Sequence, residues 1–157
     1  MKVLIVYFSW SGVTARVAKK IAEYLPADRD EIKCYQYKNL LTVFWLSLFA
    51  RNKELTLAPL RYEPGNYDLV ILGAPTWAGV PPRPVIVYLN RYAHQFKQVA
   101  FFSTSAATEE QNVLKTMEQV TGKKPVAVAH FHRALVRREG FEEKVKEFVS
   151  RITGVSG

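Results

Sequence analysis

Runs of apolar residues alternate along the chain with stretches whose apolar residues recur every three or four positions. Residues 1–8 and 67–74 are almost continuously apolar and rich in valine, isoleucine and leucine, which is typical of strands buried on both faces of a parallel sheet. Residues 12–25 have apolar positions at helical spacing, and Pro26 ends that helix. The pattern therefore predicts strands connected by crossover helices.

The rest of the chain continues this alternation. Residues 31–37 alternate polar with apolar side chains and predict a more exposed strand near a sheet edge. Further strands are predicted over residues 98–103 and 125–131, and helices over residues 84–93, 109–121 and 141–152. Thr108 and Gln111 have the spacing of a capping box, and Gly122 ends the helix that they begin. Five strands alternating with helices predict an α/β fold, a three-layer α/β/α sandwich around a five-stranded parallel sheet.

Residues 39–54 form a predicted helical segment with more apolar side chains than one face of a surface helix needs. In one interpretation a face of this helix packs on the sheet, and that face consists of Leu41, Phe44, Trp45 and Leu48. In the other, a surplus apolar face contacts a partner, a second copy of the chain or a membrane surface. Basic residues bracket that face: Lys38, Arg51 and Lys53. We favour core packing with a homodimer contact through Leu40–Phe49 over a membrane-surface contact, because one helix with few flanking charges is weak evidence for a membrane anchor.

Composition and charge narrow the classes of function. The net charge of +8, from 22 lysines and arginines against 14 acidic residues, makes nucleic acid, an anionic membrane and an acidic protein candidate partners. No basic tract has interleaved aromatics and no familiar nucleic-acid motif is present, so we expect no nucleic-acid binding. The lone cysteine, Cys34, excludes an internal disulfide, and no apolar stretch reaches the ~18 residues of a membrane span. We expect a cytoplasmic protein with a single domain over residues 1–157.

The first predicted strand runs into a hydroxyl-rich turn that contains a glycine and leads directly into a helix. Backbone N–H groups at a helix start lack intrahelical partners and lie at the positive end of the helix dipole, so they favour a bound phosphate. Ser9, Ser11 and Thr14 add hydroxyl groups, and Gly12 lets the backbone come close to a ligand. The alternative is that Ser9 or Ser11 simply caps the helix. These residues alone leave both interpretations open.

The carboxyl ends of the strands are where parallel sheets of this kind bind ligands, at the point where the strand order reverses. Three unusual loops are predicted at that edge, and they follow Phe8, Ala74 and Ser103. The loop after Ala74 contains prolines, which restrict the backbone, and a glycine, which allows backbone angles that other residues avoid. We therefore place the candidate site at this edge of the sheet.

Two motifs in these loops resemble those of the flavodoxin-like family, small FMN-binding proteins of electron transfer, and the similarity extends over essentially the whole chain. The first is a phosphate loop directly after the N-terminal strand, Ser9-Trp10-Ser11-Gly12-Val13-Thr14. The second is a central strand with the loop that contacts the flavin ring, Tyr67-Asp68-Leu69-Val70-Ile71-Leu72-Gly73-Ala74-Pro75-Thr76-Trp77-Ala78-Gly79. The resemblance implies the flavodoxin-like strand order 2-1-3-4-5 and FMN as the cofactor.

The resemblance also implies how the loops would hold FMN. The phosphate would be bound by three hydroxyl groups and by the loop amides, which together belong to Ser9, Trp10, Ser11, Gly12, Val13 and Thr14. In the loop after the central strand, Trp77 is the expected stacking partner of the flavin ring. Backbone groups near Trp77 would form hydrogen bonds with the polar edge of the flavin ring. The whole loop that would contact the flavin consists of Pro75, Thr76, Trp77, Ala78 and Gly79. The alternative for Trp77 is a place in the core.

The third loop would complete the pocket with Thr104, Ser105 and Ala106, although these are also common residues of ordinary loops. It departs from the family pattern, because residues 103–108 include neither an aromatic nor an acidic residue. One flavin face is thus expected to be open or covered by something other than this loop. The positive net charge also differs from the acidic character typical of the family's electron shuttles.

From this resemblance we expect an electron-transfer protein in which FMN carries the chemistry, with no catalytic side chain and no metal. Its partner would be a redox protein or a small-molecule electron acceptor. Two alternatives remain: an FMN-dependent NAD(P)H:quinone-type reductase, and a non-enzymatic interaction module with the same fold. The histidines His94, His130 and His132 are expected to be solvated or in the core rather than catalytic.

Overall fold

Five strands run parallel in one sheet of the computed structural model, which describes residues 1–107 and 112–154. In chain order the strands are β1 (Val3–Tyr7), β2 (Asp28–Glu31), β3 (Leu69–Pro75), β4 (Gln98–Ser105) and β5 (Val128–His132). Their order across the sheet is β2-β1-β3-β4-β5, so the predicted flavodoxin-like arrangement is confirmed. Every described pair of neighbouring strands is parallel, which brings the carboxyl ends to one edge.

Helices cover both faces of the sheet, as predicted for a three-layer sandwich. They are α1 (Val13–Tyr24), α2 (Leu40–Phe49), α3 (Arg83–Tyr92), α4 (Asn112–Thr121), α5 (Arg133–Arg137) and α6 (Glu142–Thr153). One core layer packs the apolar sides of α2, α3 and α4 against the sheet. The opposite layer packs α1, α5 and α6 in the same way. None of the helices in the described ranges has the length and apolar character needed to cross a bilayer.

The central strands form because their side chains are apolar on both faces. All five residues of β1 are buried, and in β3 all but the terminal Pro75 are buried. The helix boundaries also follow local signals: α1 ends before Pro26, and α4 ends at Gly122, whose φ of 63° suits glycine at that position. The predicted capping box of Thr108 and Gln111 lies outside the residues that the structure describes.

The predicted strand over residues 31–37 is wrong, because β2 lies upstream at Asp28–Glu31. These charged residues pair with β1 from Leu4↔Asp28 to Tyr7↔Glu31 at the sheet edge. The Asp30 carboxylate is buried and accepts hydrogen bonds from the backbone N–H groups of residues 61 and 62, at 2.6 and 3.2 Å. Residues 32–37 have left the sheet, and their alternation places Ile32, Cys34 and Tyr37 in the core while Tyr35 is exposed.

A helix, α2, forms within the predicted segment 39–54 but ends at Phe49, and the interpretation of its inward face is wrong. Asn39 caps α2 by accepting a hydrogen bond from the Thr42 N–H at 2.9 Å. Only Val43 and Leu46 of this helix are buried. The predicted packing face is exposed instead, by 80%, 63%, 52% and 52% at Leu41, Phe44, Trp45 and Leu48. The chain segments that precede and follow α2 fill the core layer beside it with Tyr37, Leu55 and Leu57.

Two smaller differences from the predicted elements involve β4 and β5, on the side of the sheet opposite β2. The strand β4 continues to Ser105, so Thr104 and Ser105 are strand residues rather than loop residues. The strand predicted over residues 125–131 is instead β5 at Val128–His132, and α5 follows it directly although the sequence did not predict a helix there. Both differences place more ordered backbone at the carboxyl edge of the sheet, next to the candidate site.

Candidate functional site

Four loops meet at the carboxyl edge of the sheet. Three of them follow β1, β3 and β4, as predicted, and the fourth follows β2 because that strand ends at Glu31. The strand order reverses between β1 and β3. The chain passes from β1 to β2 on one side of it and then returns to form β3 on its other side. This is the position at which α/β sheets bind ligands outside their carboxyl ends.

The loop after β1 presents backbone N–H groups at the start of α1. Gly12 precedes the helix with a φ of 86°, and a Cβ at this position would meet no atom within 4 Å. Within the described chain, the N–H groups of residues 10–14 have no hydrogen-bond acceptor. The first turn of α1 contains no acidic residue. This row of donors at the positive end of a helix can bind an anion.

The two serines of this loop have different environments. Gly12 occupies the N-cap position of α1, which has no side-chain cap, and the Ser9 hydroxyl accepts a hydrogen bond from the Ala15 N–H in the first turn at 3.2 Å. Ser11 is exposed and its hydroxyl makes no hydrogen bond within the described residues. Neither serine therefore caps α1 in the usual position, and the contact of Ser9 with Ala15 leaves the N–H groups of residues 10–14 and the Ser11 hydroxyl available to a ligand.

Thr14 joins the loop after β1 to the end of β4. Its hydroxyl lies 2.8 Å from that of Thr104, and both residues are buried. One hydroxyl of such a pair donates to the other, and the acceptor keeps its own hydrogen for a further partner. The pair thus fixes the start of α1 against β4 and leaves one donor for a ligand.

Breaking this pair is expected to destabilise the fold. Thr14→Val leaves the Thr104 hydroxyl buried without its partner and should lower the free energy of unfolding by about 1–3 kcal/mol, measured by urea denaturation. Thr104→Val should have a similar effect for the same reason. The double variant should lose less than the sum of the single losses, because the second change removes a group that is already unpaired. Strict additivity would contradict the proposed pairing.

The loop after β3 contains a tight two-residue turn. Trp77 and Val80 exchange backbone hydrogen bonds of 2.9 and 3.1 Å, and the residues between them, Ala78 and Gly79, have φ values of 50° and 81°. Two consecutive positive φ angles are those of a type I′ turn. The N–H groups of Ala78 and Gly79 have no acceptor within the described residues, so they can meet the polar edge of a ligand.

Thr76, at the base of this turn, supplies a hydroxyl but not its amide. Its N–H group donates to the Thr104 carbonyl at 2.9 Å and extends the pairing of β3 with β4. Its Oγ1 is buried, and among the described residues it is one of two buried side-chain oxygens without a hydrogen-bond partner. Such a group costs about 1–3 kcal/mol unless a ligand or water satisfies it. The orphaned hydroxyl therefore fits a site that receives a polar ligand.

An aromatic cluster surrounds Trp77, which is half-buried. The Trp77 ring stacks on Tyr37 with centroids 6.1 Å apart and an interplanar angle of 12°. The rings of Phe8 and Trp10 meet Trp77 edge-on, at 5.5 and 6.1 Å. Trp77 is thus partly a core residue, as its alternative interpretation held, and it also reaches the site. Burial raises the pKa of the Tyr37 phenol, which stays neutral at physiological pH.

Sequence reasoning missed Tyr37 as a residue of the site. The predicted strand over residues 31–37 would have placed Tyr37 within the sheet, whereas β2 ends at Glu31 and Tyr37 follows it at the carboxyl edge. The usable signal was the pair of tyrosines, Tyr35 and Tyr37, after a short charged strand.

Two histidines contact the end of β4 and the first residues after it. The His130 ring lies 2.9 Å from the Ser103 hydroxyl and 3.3 Å from that of Ser105. His132 accepts a hydrogen bond from the Ala134 N–H at Nδ1, and its Nε2 lies 2.7 Å from the Ala106 carbonyl, so Nε2 carries the hydrogen. The sequence had left these histidines without a role at the site, because their partners are distant along the chain. They hold the predicted site residues Ser105 and Ala106 in place.

A groove of about 520 Å³ opens between the site and α2. Its lining combines site residues with the helix and consists of Trp10, Leu40, Leu41, Val43, Phe44, Ser47 and Trp77. All of these side chains except Ser47 are apolar or aromatic. A flat apolar molecule bound in this groove would lie against Trp10 and Trp77 at the edge of the candidate site.

Comparisons with known proteins agree with this geometry. Residues 2–152 match the family model described as Flavodoxin. A flavoprotein from Lactobacillus acidophilus, solved in complex with FMN, is 28% identical and has a TM-score of 0.66 over 87% of this chain and 97% of its own. No curated protein sequence matches the chain.

Two more distant structures support the fold alone. A protein described as a flavoprotein from Bacteroides eggerthii is 21% identical, with a TM-score of 0.69 over 88% of this chain and 94% of its own. Oxidised flavodoxin 1 from Bacillus cereus is 17% identical, with a TM-score of 0.52 over 96% of this chain and 98% of its own. The similarity to these structures covers most of each chain.

Proposed function

The chain belongs to the flavodoxin family, and from this premise we propose that it is an electron-transfer protein that uses FMN. The family resemblance inferred from the sequence is confirmed, and so is FMN as the cofactor, since the family is FMN-binding and the Lactobacillus relative is a complex with FMN. When bound, FMN supplies the reversible uptake and release of electrons. The protein's own residues bind and orient the cofactor and control access to it.

The observation that carries this proposal is the row of unpartnered N–H groups over residues 10–14 at the start of α1. A phosphate monoester is close to a dianion at neutral pH, and these donors satisfy its oxygens without a lysine or a metal ion. Ser11 adds an exposed hydroxyl, and the open space beside Gly12 admits the phosphate close to the backbone. The positive net charge adds a favourable long-range field.

The residues after β3 suit the other end of the cofactor. Trp77 offers an aromatic ring to the flat flavin, and the free N–H groups of Ala78 and Gly79 suit the carbonyl oxygens and ring nitrogens at its polar edge. The orphaned Thr76 hydroxyl adds one further polar contact. Tyr37 supports Trp77 from the side of β2 and fixes the orientation of its ring. In this assignment the chain holds the cofactor by stacking and hydrogen bonding, with no protein acid or base in the reaction.

A second candidate function is an FMN-dependent reductase of a small apolar acceptor such as a quinone. The groove of about 520 Å³ beside Trp10 and Trp77 favours it, because this groove is open to solvent and lined by apolar side chains. A carrier exchanges electrons with a partner protein and needs no such groove. A reductase needs room for a substrate next to the cofactor.

These two functions differ in what the chain does alone with a nicotinamide donor. We expect the FMN-loaded protein, mixed with NADH or NADPH and a soluble quinone, to oxidise the nicotinamide no faster than free FMN at the same concentration. Addition of a separate NAD(P)H-dependent flavoprotein reductase should then start electron flow through the chain. Rapid nicotinamide oxidation that requires this chain alone would contradict the carrier function and support the reductase.

A further inference from the structure

The helix α2 presents an apolar face that no described part of the chain covers. Its six large side chains are 52–80% exposed, and they are Leu40, Leu41, Phe44, Trp45, Leu48 and Phe49. We call these six residues the α2 face. The three aromatic side chains of this face have about 200 Å² of surface each. Together they expose roughly 400 Å² of apolar surface to solvent. That area alone equals the largest apolar patch of a typical soluble monomer, which is about 300–600 Å².

The charges around the α2 face are mostly positive. Lys38, Arg51 and Lys53 are exposed at the two ends of the helix, and residues 38–53 include no acidic residue. Glu54 follows directly and is exposed as well. Arg83 lies beneath the end of α2, where its guanidinium donates to the Lys53 carbonyl at 2.6 Å. The rim of the face therefore carries a net positive charge.

We propose that the α2 face docks on the surface of an anionic phospholipid bilayer. Aromatic and leucine side chains between basic residues are the composition of helices that lie in the membrane interface. The ten residues of α2 are about 15 Å long, half the thickness of the hydrocarbon layer, so the helix lies along the surface and does not cross it. The lysines and arginine pair with lipid phosphates while the apolar side chains enter the acyl boundary.

The charge pattern distinguishes this occupant from a second copy of the chain. A two-fold dimer through the α2 face would bring the basic rim of one copy against the same rim of the other. Like charges in such an arrangement cost several kcal/mol. We therefore favour lipid over a second copy, which reverses the preference drawn from the sequence. The preference drawn from the sequence rested on the small number of flanking charges and was combined with core packing of Leu41, Phe44, Trp45 and Leu48, which are exposed.

The α2 face continues into the groove that ends at Trp10 and Trp77. A docked chain consequently turns the edge of the candidate site towards the lipid surface, where membrane-dissolved electron acceptors are concentrated. This last consequence rests on the proposed function, whereas docking itself does not require FMN.

Flotation of the full chain with lipid vesicles tests the proposal. We expect the protein, with and without added FMN, to float with vesicles of phosphatidylcholine mixed with phosphatidylglycerol, and to bind vesicles of phosphatidylcholine alone at least ten-fold more weakly. Leu41→Gln/Phe44→Gln/Phe49→Gln should abolish flotation, since it removes three exposed apolar groups. Lys38→Gln/Lys53→Gln should weaken binding by about ten-fold or more.

Matched controls lie on the opposite side of the sheet. Leu135→Gln removes another exposed leucine, and Lys144→Gln removes an exposed lysine of α6; neither should alter flotation. Failure to bind the anionic vesicles would overturn the proposal, as would equal binding to both vesicle types. A stable dimer in sedimentation that the triple glutamine variant dissolves, with no vesicle binding, would assign the face to a second copy. Flotation of an FMN-free protein would support docking even where the proposed function fails.

Discussion

Gly12→Asp is expected to weaken FMN binding by about 100-fold or more. The change places a carboxylate at the start of α1, beside the N–H groups over residues 10–14 that we assign to the phosphate. The carboxylate both repels the phosphate and competes for its donors. A Cβ at this position meets no atom within 4 Å, so steric conflict with the fold does not contribute. Fluorescence titration of FMN into the variant measures the loss.

Gly12→Asn is the matched control for this prediction. Asparagine and aspartate have the same size, and both tolerate the left-handed φ of 86° better than most residues. The asparagine variant should therefore share any backbone cost while retaining FMN affinity within about ten-fold, because it adds no charge. Riboflavin, which lacks the phosphate, should bind both variants equally. Equal loss of FMN affinity in the two variants would show that charge at this loop does not matter and would remove the phosphate from it.

Gly73→Ala is expected to lower the free energy of unfolding by about 3 kcal/mol. Gly73 lies in β3, and the Phe102 ring of the neighbouring strand covers it. An added Cβ would lie 2.1 Å from Cζ of that ring and within 2.6 Å of both Cε atoms. The ring has no free space, because Phe102 is completely buried and packs edge-on against Phe131 with centroids 6.1 Å apart. Chemical denaturation measures the effect.

Two controls separate this steric conflict from other costs of replacing a glycine. Gly140→Ala adds the same methyl group where the nearest atom is 3.8 Å away, and it should change stability by less than about 1 kcal/mol. In a Phe102→Leu background, Gly73→Ala should cost at least about 1 kcal/mol less than in the wild type, because the obstructing ring is gone. An unchanged cost in that background would disprove the conflict with Phe102.

The sequence predicted the sheet well because its central strands are specified locally. A strand buried on both faces needs an apolar run, and β1 and β3 have such runs next to turn-forming residues. The start of α1 after Gly12 was predictable for the same reason, since the strand, the turn and the helix are adjacent in the chain. The central strands and the start of α1 were therefore predicted correctly from neighbouring residues, whereas the phosphate assigned to the loop stays a prediction.

The predictions that failed depend on contacts between distant parts of the chain. β2 consists of charged residues and is a strand only because β1 offers it an open edge. The α2 face was assigned to the core because apolar composition cannot reveal that Tyr37, Leu55 and Leu57 already fill the space beside that helix. Tyr37 and His130 were missed for the same reason: their partners, Trp77 and Ser103, are 40 and 27 positions away.

A comparison of FMN with riboflavin as ligands of the cofactor-free wild-type protein tests the phosphate site and the proposed function together. The two differ by the phosphate alone, which we assign to the loop after β1. We predict saturable binding of one equivalent of FMN. Riboflavin should bind at least about 100-fold more weakly, since loss of two or more charge-assisted hydrogen bonds costs about 3 kcal/mol or more. Equal affinities would contradict the phosphate site, and absence of FMN binding would contradict the proposed function itself.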